Sequence, residues 1–226
     1  MSTRIAIVAG AGSGLGQATA LALHGAGLTV VAVDRNEAGL QELTDEIRRE
    51  VADATDPAVP GPLVDRIAVE VGSPDILVNT IGAYELGDSL SVTPQSLTQL
   101  MDVNLGAALW LTQAVAPHMQ QKGSGAIVHI AARPGVDATA GTAAYGVSKA
   151  ALVHLVRTLD VELRPQGIRV NAVVPQVIAT AKNKAMFPPE MLTGAAEPEA
   201  IANVIAFLVS DAASSVSGAV VPTYGG

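Results

Sequence analysis

The sequence predicts an α/β fold, a single domain in which a doubly wound parallel sheet of about seven strands carries helices on both faces. Three observations point to it. Short apolar, β-branched runs alternate with segments of helical period along the whole 226 residues. Those runs are apolar on both faces, as strands covered by helices on two sides must be. The first run also feeds directly into a glycine cluster that opens a helix. With 49% hydrophobic and only 15% charged residues, one large core is the simplest organisation, and no linker or repeat interrupts it.

In chain order, Ile5-Ala6-Ile7-Val8-Ala9 is the first strand. Gly10-Ala11-Gly12-Ser13-Gly14-Leu15-Gly16 turns the chain, and Ala18, Leu21, Ala22 and His24 follow at helical spacing. Residues 29–33 are a second strand ending at Asp34-Arg35-Asn36, after which Leu40, Leu43 and Ile47 mark another amphipathic helix. A weak strand at 50–52, a helix at 62–71 and an apolar strand at 75–79 come next. Helix is expected over 94–108 and onward to 121, then a fifth strand at 126–130, a long helix at 143–163 and a sixth strand at 169–174 closed by Pro175. Residues 176–199, with Pro188, Pro189 and Pro198, break the alternation beside the strand ends and form a candidate substrate lid.

Composition removes several function classes. Aromatic residues make up 3% of the chain and the net charge is -8, which suits neither base stacking nor a phosphate backbone, so no nucleic-acid partner is expected. The absence of cysteine excludes disulfides and thiolate chemistry. His24, His118, His129 and His154 are scattered without ligand spacing, so no metal is expected. No apolar run approaches a membrane span, and the start, Met1-Ser2-Thr3-Arg4, does not resemble a signal peptide; the expectation is a cytoplasmic protein with no membrane contact.

The glycines at 10, 14 and 16 stand where a tight turn lets backbone N–H groups approach a pyrophosphate at a helix N-terminus, the Rossmann arrangement for a dinucleotide. Asp34, at the end of the second strand and 18 positions beyond Gly16, can accept both ribose hydroxyls and would repel a 2′-phosphate. NAD(H) is therefore favoured over NADP(H), although Arg35 next door partly offsets that repulsion. Tyr145 and Lys149, four apart near the start of a helix, project from one face. An ammonium there is expected to lower the phenol's pKa and make Tyr145 a general acid or base. A solvated helix face is the plainer alternative for such a pair.

Together, Gly10-xxx-Gly14-x-Gly16, Asn79-Thr80-Ile81-Gly82, Asn104 in Asp102-Val103-Asn104-Leu105, and Tyr145-xxx-Lys149 resemble the short-chain dehydrogenase/reductase family, in order and across the whole chain. The ending, Ser217-Gly218-Ala219-Val220-Val221-Pro222-Thr223-Tyr224-Gly225-Gly226, resembles that family's last strand. The resemblance implies an NAD(P)(H)-dependent oxidoreductase acting on a small-molecule carbonyl, alcohol or conjugated cyclic substrate. In it Tyr145 transfers the proton, Lys149 holds the nicotinamide ribose, and Asn104 anchors a water that extends the relay. It further implies Ser13 and Leu15 in the glycine turn, Asp53 and Ala54 at the adenine, and Asn79, Ile81 and Gly82 along the adenosine side. Ile178 and Thr180 approach the carboxamide, and Ile130 and Pro175 are further cofactor contacts. Tyr84, Ala132, Arg133, Gln176 and Met186 are the candidate substrate contacts. The family implies a homotetramer or dimer.

The main departure is Ala132, where the family carries a serine that hydrogen-bonds the reacting oxygen, 13 residues before the tyrosine. Thr139 or Thr142 is a candidate substitute. A serine-less branch, the quinonoid dihydropteridine reductases, resembles this chain locally over residues 174–188, which offers a conjugated, imine-like ring as an alternative substrate. Ala9, Thr80, Ile81 and Gln176 also differ from the family pattern. A catalytically weak nucleotide sensor or assembly partner is the alternative of another class.

Overall fold

A computed structural model describes residues 3–225; Met1 and Ser2 of the expected non-signal start, and Gly226 of the family-like ending, lie outside the described residues. Seven parallel strands form one sheet in the order β3-β2-β1-β4-β5-β6-β7. They are β1 (Ile5–Ala9), β2 (Thr29–Asp34), β3 (Arg48–Val51), β4 (Ile76–Asn79), β5 (Gly125–Ile130), β6 (Ile168–Pro175) and β7 (Val220–Thr223). The helices are α1 (Gly14–Gly25), α2 (Glu37–Gln41), α3 (Pro60–Glu70), α4 (Pro94–Met101), α5 (Ala107–Lys122), α6 (Ala143–Leu163), α7 (Ala181–Met186), α8 (Pro189–Leu192) and α9 (Pro198–Val209). None of the described helices is long and apolar enough to cross a membrane.

Side chains that alternate along each strand build two cores. Ile7, Val31, Leu77, Ile127 and Val170 face α3, α5 and α6 through Ile67, Leu111, Val115, Leu152 and Val156. Ala6, Val8, Val30, Ala32, Val78 and Val128 face α1 and α9 through Leu15, Leu23, Ile201 and Ile205. The chain adds strands outward from β1 to β3, then returns to β4 and builds the other half, so the order reverses between β1 and β4. At such a switch point the loops leaving neighbouring strand ends diverge and open a crevice. Ala9 pairs with Val33 on one side and Asn79 on the other, which brings the three loops that follow β1, β2 and β4 together.

The predicted elements are present, with four corrections. The helix marked by Leu40, Leu43 and Ile47 ends at Gln41, although all three side chains are buried. Because Arg48 pairs with Val31, the chain has only to retrace β2 from Asp34 to Val31, about 10 Å at strand rise. Five helical residues supply about 7.5 Å of it, and turns over residues 42–47 complete the return. In α1 the buried face is Leu15, Ala18, Thr19 and Leu23, while Leu21, expected on the apolar stripe, is 48% exposed. The helix predicted from residue 94 to 121 is interrupted by a π-helical turn at Asp102–Gly106, which carries Asn104. The strand expected at 50–52 runs Arg48–Val51, where charged side chains on an edge strand hid the pattern.

Candidate active site

The sheet's carboxyl edge collects most of the residues singled out above. After β1, Gly10 and Ala11 both donate their N–H to Val33 O, at 2.9 and 3.2 Å, which folds the glycine turn over β2. Gly12 N–H donates to Asp34 Oδ2 at 2.8 Å, and Asn36 N–H to Oδ1 at 2.8 Å. A Cβ at Gly12 would stand 2.8 Å from Asp34 Cγ, so only glycine lets the turn close on that carboxylate. Asn36 completes the brace, donating from Nδ2 to Gly12 O at 3.2 Å and accepting Gly39 N–H at 3.2 Å. Among the described residues, the amides of Ser13, Gly14 and Leu15 have no protein acceptor. They sit at the positive end of the 12-residue α1, a cradle whose free donors and dipole fit a pyrophosphate. Thr180, capping α7 by accepting Asn183 N–H at 3.1 Å, packs against Gly14.

Asp34, Arg35 and Asp53 cluster beyond the ends of β2 and β3. Arg35 reaches Asp53 Oδ2 at 3.3 Å. Asp53 Oδ1 accepts both the hydroxyl (2.6 Å) and the N–H (3.0 Å) of Thr55, and the Thr55 hydroxyl chiefly holds this carboxyl below its usual range. The neighbouring Ala54 is buried in the core. On the β4 side Asn79 Oδ1 accepts Ile81 N–H at 3.0 Å, shaping the turn to Gly82. Thr80 stands where the resemblance leads one to expect asparagine, and its hydroxyl is directed at the carbonyls of Ala9 and Gly10. Behind Asn79 lies the fully buried His129. Thr112 Oγ1 spends its proton on Ala108 O at 2.8 Å, so it must accept from His129 Nε2–H at 3.1 Å, leaving Nδ1 to accept from Asn79 Nδ2 at 3.4 Å. Burial pushes His129 down to about 3, and the neighbouring Lys149 charge adds to this. It is a neutral strut.

Tyr145 and Lys149 lie in the first two turns of α6. Lys149 turns inward, donates to Ile130 O at 2.8 Å, and is buried. A Cβ at Gly82 would stand 3.2 Å from both Lys149 Nζ and Asn104 Oδ1, so glycine there gives the ammonium its space. Burial pushes Lys149 down to about 8. The phenol of Tyr145 corrects a sequence expectation, because it is raised above its ordinary value, first by burial and then by Tyr84 beside it. Lys149 spends its hydrogen bond on a strand-end carbonyl, and loss of solvent outweighs its attraction for a phenolate. Tyr84 meets the Tyr145 ring edge-on at 4.8 Å between centroids, and Phe187 meets Tyr84 at 5.7 Å.

Asn104 is fully buried at the π-helical turn, and its side chain is spent on protein groups. Oδ1 accepts Ala83 N–H at 2.8 Å; Nδ2 donates to Ala83 O at 3.0 Å and to Ser148 Oγ at 2.9 Å. Ser148 in turn donates to Tyr145 O at 2.7 Å. The Asn104 side chain thus clamps two segments together.

Ala132 is buried directly after β5 and carries no donor. Neither proposed substitute replaces it. The Thr142 hydroxyl donates to Thr139 O at 2.7 Å and the Thr139 hydroxyl to Asp137 O at 3.3 Å, both closing their own turn. Arg133 binds Asp137 (3.2 Å), Gln176 Oε1 (2.8 Å) and the face of Tyr224 (5.1 Å), linking the loops after β5 and β6 to the chain's end. Residues 176–199 fold as α7 and α8, tied back by Ala179 N–H to Ala196 O at 2.8 Å. Met186 is half exposed, and the adjacent Phe187 meets the Tyr84 ring. Sequence reasoning also missed Gly12, Asn36, Ser148 and the Asn79–His129–Thr112 chain. Gly12 was visible in the glycine cluster, but the others carry no motif. No trio of described His, Asp and Glu residues is arranged for a metal.

Residues 10–226 match a protein-family model described as enoyl-(acyl carrier protein) reductase. The chain is 35% identical over 240 residues to the L-xylulose reductase of Mesocricetus auratus, covering 100% of this chain and 97% of that protein. It is 33% identical over 232 residues to the D-threitol dehydrogenase of Mycolicibacterium smegmatis, covering 96% and 89%. A solved structure from Beutenbergia cavernae, described as an NAD(P)-dependent gluconate 5-dehydrogenase with NADP bound at low occupancy, superposes with a TM-score of 0.90 at 33% identity, covering 100% of this chain and 97% of that one.

Proposed function

The chain belongs to the short-chain dehydrogenase/reductase family, an oxidoreductase family using NAD(P), and from that premise we propose that it interconverts a small polyhydroxylated ketone and the corresponding alcohol, with Tyr145 as proton donor and acceptor. The observation that carries the reading is the convergence, on one sheet edge, of a free amide cradle at α1 with the Tyr145 and Lys149 side chains of α6. The relatives named above for xylulose, threitol and gluconate favour a polyol or ketose over a conjugated ring.

In this mechanism the amides of Ser13, Gly14 and Leu15 hold the pyrophosphate of the dinucleotide, and Asp34 accepts the adenosine ribose hydroxyls. Asp34 favours NAD(H), since a 2′-phosphate would meet its carboxylate. Arg35 and Asp53 edge the adenine, and Asn79, Ile81 and Gly82 form the adenosine wall, with Ile130, Pro175, Ile178 and Thr180 at the nicotinamide side. When bound, the nicotinamide supplies or takes the hydride. Lys149, a buried ammonium with only a carbonyl for a partner, binds the nicotinamide ribose and stabilises negative charge on Tyr145 as its proton leaves Oη. Tyr84, Arg133 and Gln176 border the substrate, and residues 176–199 cover it and exclude water. The chain assembles as a homo-oligomer, to which the outer face of α6 contributes Val147 and Val161, 58% and 69% exposed.

The test is transfer of deuterium from 4-deuterated NADH into product, across a panel of ketoses, simple ketones and quinonoid dihydropterin, beside the same panel with NADPH. Deuterated polyol formed with NADH supports the reading. Transfer confined to the pterin would replace the substrate class, and binding of NADH with no transfer to any acceptor would leave a sensor.

A further inference from the structure

We propose that Tyr84 is the second hydroxyl of the active site, donating a hydrogen bond to the substrate oxygen that Tyr145 protonates, a task for which Ala132 offers only a methyl group. The inference rests on the oxidoreductase reading above and deepens it.

A reduction that places negative charge on a carbonyl oxygen gains from two donors, because each lowers the energy of the charge as it forms. Of the hydroxyls of Tyr84, Thr139, Thr142 and Ser148, three are committed. Thr139 and Thr142 donate to Asp137 O and Thr139 O, and Ser148 donates to Tyr145 O. The Tyr84 hydroxyl has no hydrogen-bond partner among the described residues, and the residue remains 41% exposed, with its ring beside that of Tyr145. Its ring is held between two others, with Tyr145 at 4.8 Å and Phe187 at 5.7 Å, both edge-on.

The two phenols are also fixed to each other through the backbone. The Asn104 amide grips both polar groups of Ala83, the residue before Tyr84, and reaches through Ser148 to the carbonyl of Tyr145. One buried side chain therefore sets the spacing of the segments that carry them, which is the preorganisation a donor pair needs. Partial burial raises the Tyr84 phenol, so it stays protonated and can donate throughout turnover. Tyr84 transfers no proton; Tyr145 alone does.

The experiment is a double-mutant cycle on the full chain, Tyr84→Phe against Ala132→Ser, read as kcat with the best ketose and as NADH affinity by fluorescence. Tyr84→Phe keeps the ring and its edge contacts, and should lower kcat about a hundredfold with NADH affinity within about twofold of the parent. Adding Ala132→Ser to that variant should recover roughly tenfold, a rescue that a packing role for the ring would not produce. Ala132→Ser should raise kcat by a smaller factor in the parent than in the Tyr84→Phe variant, so the coupling between the two positions decides, and the unchanged NADH affinity shows that the variant is folded. Tyr84→Phe with parental turnover, or Ala132→Ser raising parent and variant by the same factor, would overturn the proposal while leaving the oxidoreductase reading intact. A parent that binds NADH yet reduces nothing would overturn the reading itself and this inference with it.

Discussion

Replacement of Asn104 by alanine tests how the site is held. Its amide makes three hydrogen bonds of 2.8 to 3.0 Å, to Ala83 N–H, Ala83 O and Ser148 Oγ, at a position with no exposure to solvent. Each such bond contributes about 1 kcal/mol net, and removal of the side chain leaves the half-buried Ala83 groups and Ser148 Oγ without this partner, so the loss is about 3 kcal/mol. In a domain of this size that corresponds to a fall in melting temperature of roughly 6 to 12 °C. Asn104→Asp is the informative companion. Its carboxylate still accepts Ala83 N–H but faces Ala83 O with no proton to give, so it should recover little. Because the clamp joins the segments bearing Tyr84 and Tyr145, kcat should fall with stability, more steeply than KM rises. Differential scanning calorimetry and steady-state kinetics on both variants decide it. An Asn104→Ala protein melting within about 2 °C of the parent, with unchanged kcat, would refute the clamp.

Two further outcomes follow from the same geometry. Asp34→Ala removes acceptors for Gly12 and Asn36 N–H as well as for ribose. It should weaken NADH binding at least about tenfold without creating tight NADPH binding, and a clean switch to NADPH in fluorescence titration would show that the carboxylate acts on specificity alone. His129 is neutral in the fold, with a pKa of about 3, but protonates near 6.5 once unfolded. The unfolded state therefore binds the extra proton, and stability should drain away as pH falls from 6.5 toward 3, at up to about 1.4 kcal/mol per unit from this group. Urea unfolding at several acidic pH values should show a shallower decline for His129→Gln than for the parent; parallel declines would mean that His129 is not the buried base.

The sheet and most helices were legible because their signals are local and repeated. Strands such as Ile5–Ala9 and Ile76–Asn79 are buried on both faces, and α6 was read to its ends because Leu152, Val153, Val156, Leu159 and Leu163 recur at helical spacing. The second helix was over-read, since Leu40, Leu43 and Ile47 are buried at helical spacing by a chain that is mostly not helical there. In the site, the motif residues came together at the strand ends. What could not be read was which polar partner each would choose. Asn104 spends its amide on Ala83 and Ser148, Lys149 donates to Ile130 O, and His129 settles against Thr112, all contacts between segments far apart in sequence. The direction of the Tyr145 shift was missed for the same reason. Spacing on one helix put the ammonium near the phenol, but the strand-end carbonyl and the depth of burial decide the balance.

The central claim is that Tyr145 moves the proton, and Tyr145→Phe tests it most directly. Turnover of the best ketose with NADH should fall by at least about a thousandfold while NADH affinity stays within about twofold of the parent, since a phenyl ring keeps the packing against Tyr84 and loses only the hydroxyl. Turnover by that variant at a rate close to the parent's would contradict the account.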